Sequence, residues 1–130
     1  MRALTKTFDI GGKRARRETD ARKALDLWLA NYSSENTRRA YEREILAFAD
    51  HIGGAALRVI AEFLALSDSA AHQAVDAWRA SKIAQGLSPV SINRSMSALD
   101  SFVASARWHG LTSLRLSFGP VRGDIWGMSA

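Results

Sequence analysis

Two stretches of this 130-residue chain gather side chains suited to holding a polyanion. Asn36, Thr37, Arg38, Arg39 and Arg43 fall in the first, and Ser88, Ser91, Asn93 and Arg94 in the second. Double-stranded DNA is held chiefly through its phosphates, which call for arginine, lysine and helix N-termini with free N–H groups. Its bases are read in the major groove by side chains near the exposed start of a helix. There arginine forks onto guanine and asparagine pairs with adenine. Short hydroxyls let such a helix approach the backbone closely. Each position also has a plain structural role open to it. Arg38, Arg39 and Arg43 would equally form a solvated face paired with Glu35 and Glu42 at helical spacing. Ser88 and Ser91 would equally be caps.

Other chemistries find little support. With no cysteine, neither a disulfide nor a thiolate metal site can form, and a reducing, cytoplasmic setting is the default expectation. His51, His72 and His109 are far apart and lack paired carboxylate companions, so no metal site or cofactor is expected. Gly11-Gly12-Lys13 lacks the frame of a phosphate loop, and no serine sits in a G-x-S-x-G turn. The residues therefore suggest neither an enzyme nor a small-molecule substrate. No run approaches the length of a membrane span, and no apolar segment follows the basic N-terminus as it would in a secretory signal.

The formal net charge of +5 suggests a polyanionic partner, but the excess is uneven. Residues 1–23 hold eight Lys/Arg against Asp9, Glu18 and Asp20, while the remainder is balanced at ten of each sign. Any basic face on the body must come from segregation of charge. A composition of 47% hydrophobic and 24% charged residues is that of one folded domain.

The elements that would position the two stretches are helices. Residues 1–18 read as a flexible basic arm hinged at Gly11-Gly12, and from Thr19 the pattern turns helical, with Leu25, Trp28, Leu29 and Tyr32 as one stripe. A second helix runs from about Ser34 to Ile52, capped by Ser33 or Ser34 and buried along Tyr41, Ile45, Phe48 and Ile52. Gly53-Gly54 ends it. A short apolar helix covers 57–66, and another covers 69–85 with Val75, Trp78 and Ile83 inward, stopped by Gly86. Ser88 caps and Pro89 opens the last helix, whose inward stripe is Ile92, Met96, Leu99, Val103 and Ala106, ending near Gly110. No segment alternates with period two, and only Leu114–Phe118 reads as extended. These signals give an all-α domain over 19–116, with 117–130 as a tail.

Two motifs carry a resemblance. The first is Ser34-Glu35-Asn36-Thr37-Arg38-Arg39-Ala40-Tyr41 with Phe48 seven residues after the tyrosine. The second runs from Gly86-Leu87-Ser88-Pro89 through Asn93-Arg94 to Phe102, closing at His109-Gly110-Leu111, and starts about 45 residues after the first ends. Together they resemble the N-terminal core-binding (SAM-like) domain of tyrosine recombinases, the phage integrase and Xer group. The resemblance implies a compact orthogonal bundle of four to five helices. It clamps one side of a recombination half-site, with double-stranded DNA and other recombinase protomers as partners, and serves DNA integration and recombination. It also implies groove contacts around Thr37, Arg38 and Arg39 on one helix and around Val90, Ser91 and Arg94 on the other. Val90 departs from the polar or basic residue of some members, so a contact is lost there or replaced by packing on a thymine methyl. Asp100 stands where many relatives have arginine. The family's catalysis lies in a second domain with a tyrosine nucleophile. The 20 residues after Gly110 contain no tyrosine or histidine, so catalysis is expected elsewhere. Val121-Arg122-Gly123-Asp124 resembles the start of the interdomain linker, which suggests an excised or truncated relative. A stand-alone module that docks on a recombinase is the other reading.

Overall fold

A computed structural model describes the backbone of residues 2–117 and the side chains of residues 15–117. Five helices follow one another: α1 (Arg2–Leu29), α2 (Glu35–Ile52), α3 (Ala56–Leu64), α4 (Asp68–Ala84) and α5 (Pro89–Trp108). There is no strand among the described residues. The all-α architecture expected from the sequence is therefore the one observed.

Local signals account for most of the boundaries. Ser34, Ser67 and Ser88 each cap a helix, accepting a hydrogen bond from the backbone N–H of Thr37, Ala70 and Ser91 respectively. That arrangement satisfies an amide left without an intrahelical partner. At the far end of α4, Gly86 takes φ +79°, Leu87 N–H donates to Lys82 O and Gly86 N–H to Ile83 O. Gly110 repeats the device after α5 at φ +74°, with Leu111 N–H donating to Ala106 O and Gly110 N–H to Arg107 O. Such turns reverse the chain at little cost only where glycine supplies the left-handed residue.

Burial follows helical period. Ala21, Ala24, Leu25 and Trp28 of α1 face inward, as do Ile45, Phe48 and Ala49 of α2, and Ala71, Val75 and Trp78 of α4. The expected stripe of α5 is buried in full, from Ile92 and Met96 through Leu99 and Val103 to Ala106, joined by Phe102. More than half of the nine-residue α3 is buried, with Val59, Ile60, Ala61, Phe63 and Leu64 all inward. It packs against α1 and α2, while α5 packs against α1, α2 and α4. Phe48 sits edge-on to Phe63 at 4.8 Å and beside Trp78 at 5.0 Å, tying α2, α3 and α4 together.

Three expectations need correction. Helix α1 begins at Arg2 rather than near Thr19, so it crosses the boundary read at residue 18 and runs through Gly11-Gly12. Two glycines cost a helix about 1 kcal/mol each, and no proline lies within α1 to break it. Basic residues before Ala15 lie outside the described side chains, as does the linker-like segment 118–130. Ile52 and Ile83 are 43% and 53% exposed instead of buried. Ile52 is the last residue of α2, at the Gly53-Gly54 turn. On α4 the inward stripe 71–75–78 continues to Lys82, whose ammonium lies 4.7 Å over the Trp78 ring, and this turns Ile83 aside. Tyr41 and Leu29 are only half-buried, at the edge of the core.

The residues after α5 are held by the body. Leu114 is buried, and Leu111 and Leu116 pack on the core. Thr112 Oγ1 donates to Leu64 O at 2.5 Å, and Arg107 Nη1 to Leu114 O at 2.9 Å. Arg115 N–H reaches Asp68 Oδ1 at 3.1 Å, and Ser117 N–H reaches His72 Nε2 at 2.8 Å. Residues 111–117 thus belong to the fold. No helix of the described residues is long and apolar enough to cross a membrane.

Candidate nucleic-acid interface

The two chemistry-bearing stretches occupy the starts of α2 and α5. A part-buried polar contact joins these helices. Ser95, on the inward face of α5, donates its hydroxyl hydrogen to the Glu44 carboxylate of α2. Its hydroxyl also lies 3.3 Å from Ser91 O, one turn back along α5. Beside this contact, Ala40, Arg43 and Glu44 of α2 and Arg94 of α5 line a common cleft. Arg43 and Arg94 are both exposed, and neither forms an ion pair with a described residue. Two guanidinium groups from different helices therefore meet at one cleft with donors available.

The other expected site residues divide by environment. Asn36 and Arg39 are exposed on the first turns of α2. Arg39 pairs with Glu35 at 2.7 Å, with both side chains about two-thirds exposed (65% and 67%). An exposed pair of this kind is worth well under 1 kcal/mol and is exchanged readily for a phosphate. Arg38 is different. Its Nη1 donates to Tyr32 O at 2.5 Å and to Ser33 O at 3.1 Å, so the side chain fastens the loop between α1 and α2. Thr37 is half-buried beside it. On α5, Ser88 Oγ is engaged by Ser91 N–H at 3.2 Å, which makes Ser88 a cap first. Val90 is 76% exposed, whereas Ser91 and Asn93 are half-buried. The structure thus brings Arg43 and Arg94 together at the α2–α5 seam and engages Arg38 and Ser88 in the fold.

Two supporting clusters were not anticipated. One is the Glu44–Ser95 contact, whose sequence signal was a small polar residue, Ser95, in the register of Ile92, Met96 and Leu99. The other lies behind α2, where Trp28 Nε1 donates to Ser101 Oγ at 2.9 Å and Tyr32 OH shares a hydrogen bond with the same oxygen at 3.2 Å. The rings of Trp28, Tyr32, Tyr41 and Phe102 pack on one another in edge and tilted contacts, with centroids 4.7 to 6.2 Å apart. This cluster locks α1, α2 and α5 in one arrangement and so fixes the angle between the two candidate helices. Among the described residues no group of acids, histidines or cysteines is assembled to hold a metal ion.

With this geometry in view, comparison with known proteins is informative. Residues 24–110 match the phage integrase N-terminal SAM-like domain. The chain belongs to that family. It is also 37% identical over 102 residues to a tyrosine recombinase of Synechococcus elongatus, a match covering 77% of this chain. That match spans only 31% of the relative's own length. No solved structure matches this chain. The matched span runs from Ala24 in α1 to Gly110 at the end of α5, so both candidate helices lie inside the integrase-type domain.

Proposed function

We propose that this integrase-type domain binds double-stranded DNA at a recombination half-site, with the α2–α5 seam against the duplex. It supports DNA integration or strand exchange by a catalytic domain outside its own fold. The observation that carries the reading is the cleft in which Arg43 and Arg94 converge from two serine-capped helices. Phosphates supply most of the affinity in such complexes, and each neutralised phosphate steepens the salt dependence. Asn36, Arg39 and Asn93 stand close enough to the helix starts to serve as groove readers, with Thr37, Ser88 and Ser91 positioning the backbone.

Binding of the full chain to duplexes of about 30 base pairs, followed by fluorescence anisotropy across a salt series, tests the reading. Affinity in the micromolar range that falls steeply with salt is expected. Arg43→Ala and Arg94→Ala should each lower the slope of log K against log salt by about one. Salt-independent binding, or none at about 50 mM salt, refutes the assignment.

A second reading draws on Trp108, which stands 87% exposed at the last residue of α5. Exposed tryptophan is characteristic of protein interfaces, and docking on a recombinase protomer would cover it. Size-exclusion with DNA, then with a recombinase, separates the two complexes.

A further inference from the structure

His72 stands one turn into α4, half-buried, with both ring nitrogens engaged by backbone groups. Nδ1 lies 2.6 Å from Asp68 O, and a carbonyl can only accept, so this nitrogen carries the proton. Nε2 lies 2.8 Å from Ser117 N, and an amide N–H can only donate, so this nitrogen is bare. Together the two contacts select one state of the ring, the neutral imidazole protonated at Nδ1. Ser117 O is also near, 3.1 Å from Nε2, but a bare nitrogen has no hydrogen to give it. A second proton reverses the match. Nε2 then becomes a donor facing the Ser117 N–H, and Ser117 O becomes the acceptor at hand. Imidazole is the side chain whose charge ordinarily changes between about pH 5 and 8.

The charged groups nearby do not remove this demand. Asp68 and Asp76 lie one turn to either side on α4, and the Asp68 carboxylate already accepts from Arg115 N–H at 3.1 Å. Arg115 is the charged residue of the segment that lies on the ring. Arg107 of α5 reaches that segment at Leu114 O, and Arg58 and Glu62 of α3 pair with each other. The carboxylates steady a charged ring, but they cannot give the Ser117 N–H back its acceptor. Further up the segment, the burial of Leu114 and the Thr112 bond to Leu64 O involve no titrating group.

We propose that His72 is a pH-sensitive latch on the segment after α5, whose neutral ring holds Ser117 by its N–H and whose charged ring releases that amide. The change is confined to residues 115–117, and it is independent of the DNA-binding reading above.

Nuclear magnetic resonance of the full chain between about pH 8 and pH 5 tests the proposal. At the upper end the His72 ring should be the Nδ1-protonated tautomer. On acidification the Ser117 amide should shift with the same midpoint as the ring. Its protection from solvent exchange should fall about tenfold, as for the loss of one hydrogen bond. His72→Ala should abolish both the protection and its pH dependence. The Leu114 amide, which donates to Thr112 Oγ1, should keep its protection and report that the fold is intact. A ring protonated at Nε2 at the upper end, or Ser117 protection that does not change with pH, overturns the proposal. So does a transition that survives His72→Ala with a midpoint near pH 4, which would belong to Asp68.

Discussion

The hydroxyl of Ser95 donates to the carboxylate of Glu44, and this pair spans the seam where α2 and α5 meet. Ser95 is buried, so its hydroxyl cannot trade that hydrogen bond for water without opening the seam. On the outer side of the same seam stand Arg43 and Arg94. The contact thus belongs to packing, yet it joins the two helices that carry the candidate phosphate ligands.

Ser95→Ala should lower stability by about 1–2 kcal/mol in urea denaturation, since Glu44 then loses a partner in a half-buried setting. If the seam also aligns the two arginines, DNA affinity should fall further than for an equally destabilising change elsewhere, such as Val75→Ala in α4. Equal affinity loss for the two variants would confine Ser95 to a structural role.

Adjacent arginines should behave in opposite ways. Arg38→Ala removes the donor to two loop carbonyls and is expected to cost about 1 kcal/mol of stability. Arg39→Ala breaks only an exposed i,i+4 pair and should leave the melting temperature within error. In a salt titration of DNA binding the order reverses, with Arg39→Ala reducing the slope and Arg38→Ala leaving it nearly intact. Thermal melts and anisotropy on the same two proteins decide the matter.

Gly86→Ala isolates backbone conformation from packing. A methyl built on this glycine meets no atom within 4 Å, but φ is +79°. The substitution should therefore destabilise by about 1 kcal/mol through left-handed strain alone. Loss of much more than that in a thermal melt would indicate that the start of α5 had also moved.

Trp28→Phe keeps an aromatic ring among Tyr41 and Phe102 but deletes the indole N–H that donates to Ser101. A loss of about 1–2 kcal/mol is expected, against about 3–5 kcal/mol for Trp28→Ala. Near-ultraviolet circular dichroism should report the change in ring packing. Identical losses for the two variants would mean that the hydrogen bond, and not the ring, dominates.

Much of this architecture was readable before any coordinates, because capping and helical period act within a few residues. Ser34, Ser88, Gly86 and the 92–96–99–103–106 stripe are signals of that kind. What escaped depends on contacts distant in sequence. Nothing near Arg38 shows that its guanidinium turns back onto Tyr32 O, and nothing near Ser101 shows that Trp28, 73 positions away, donates to it. Ile52 and Ile83 were misplaced because an apolar residue at a helix end is buried only if a neighbouring element happens to cover it. The α1 start was missed for the opposite reason, since glycine pairs mark breaks in sequence but impose only a modest penalty within a long helix. For the candidate site the arginines were legible individually. Their convergence was not, because it depends on the register between α2 and α5, which are joined by contacts distant in sequence such as Ser95 to Glu44.

The clasp formed by Asp68 and His72 on residues 115 and 117 changes where any tether begins. A chain free from Gly110 onward would carry seven more loose residues, about 24 Å of additional span when fully stretched. With Leu114 sunk in the core and Ser117 fastened to α4, that slack is removed. The described chain therefore ends at a fixed point beside the opening turn of α4 and not at the tip of α5.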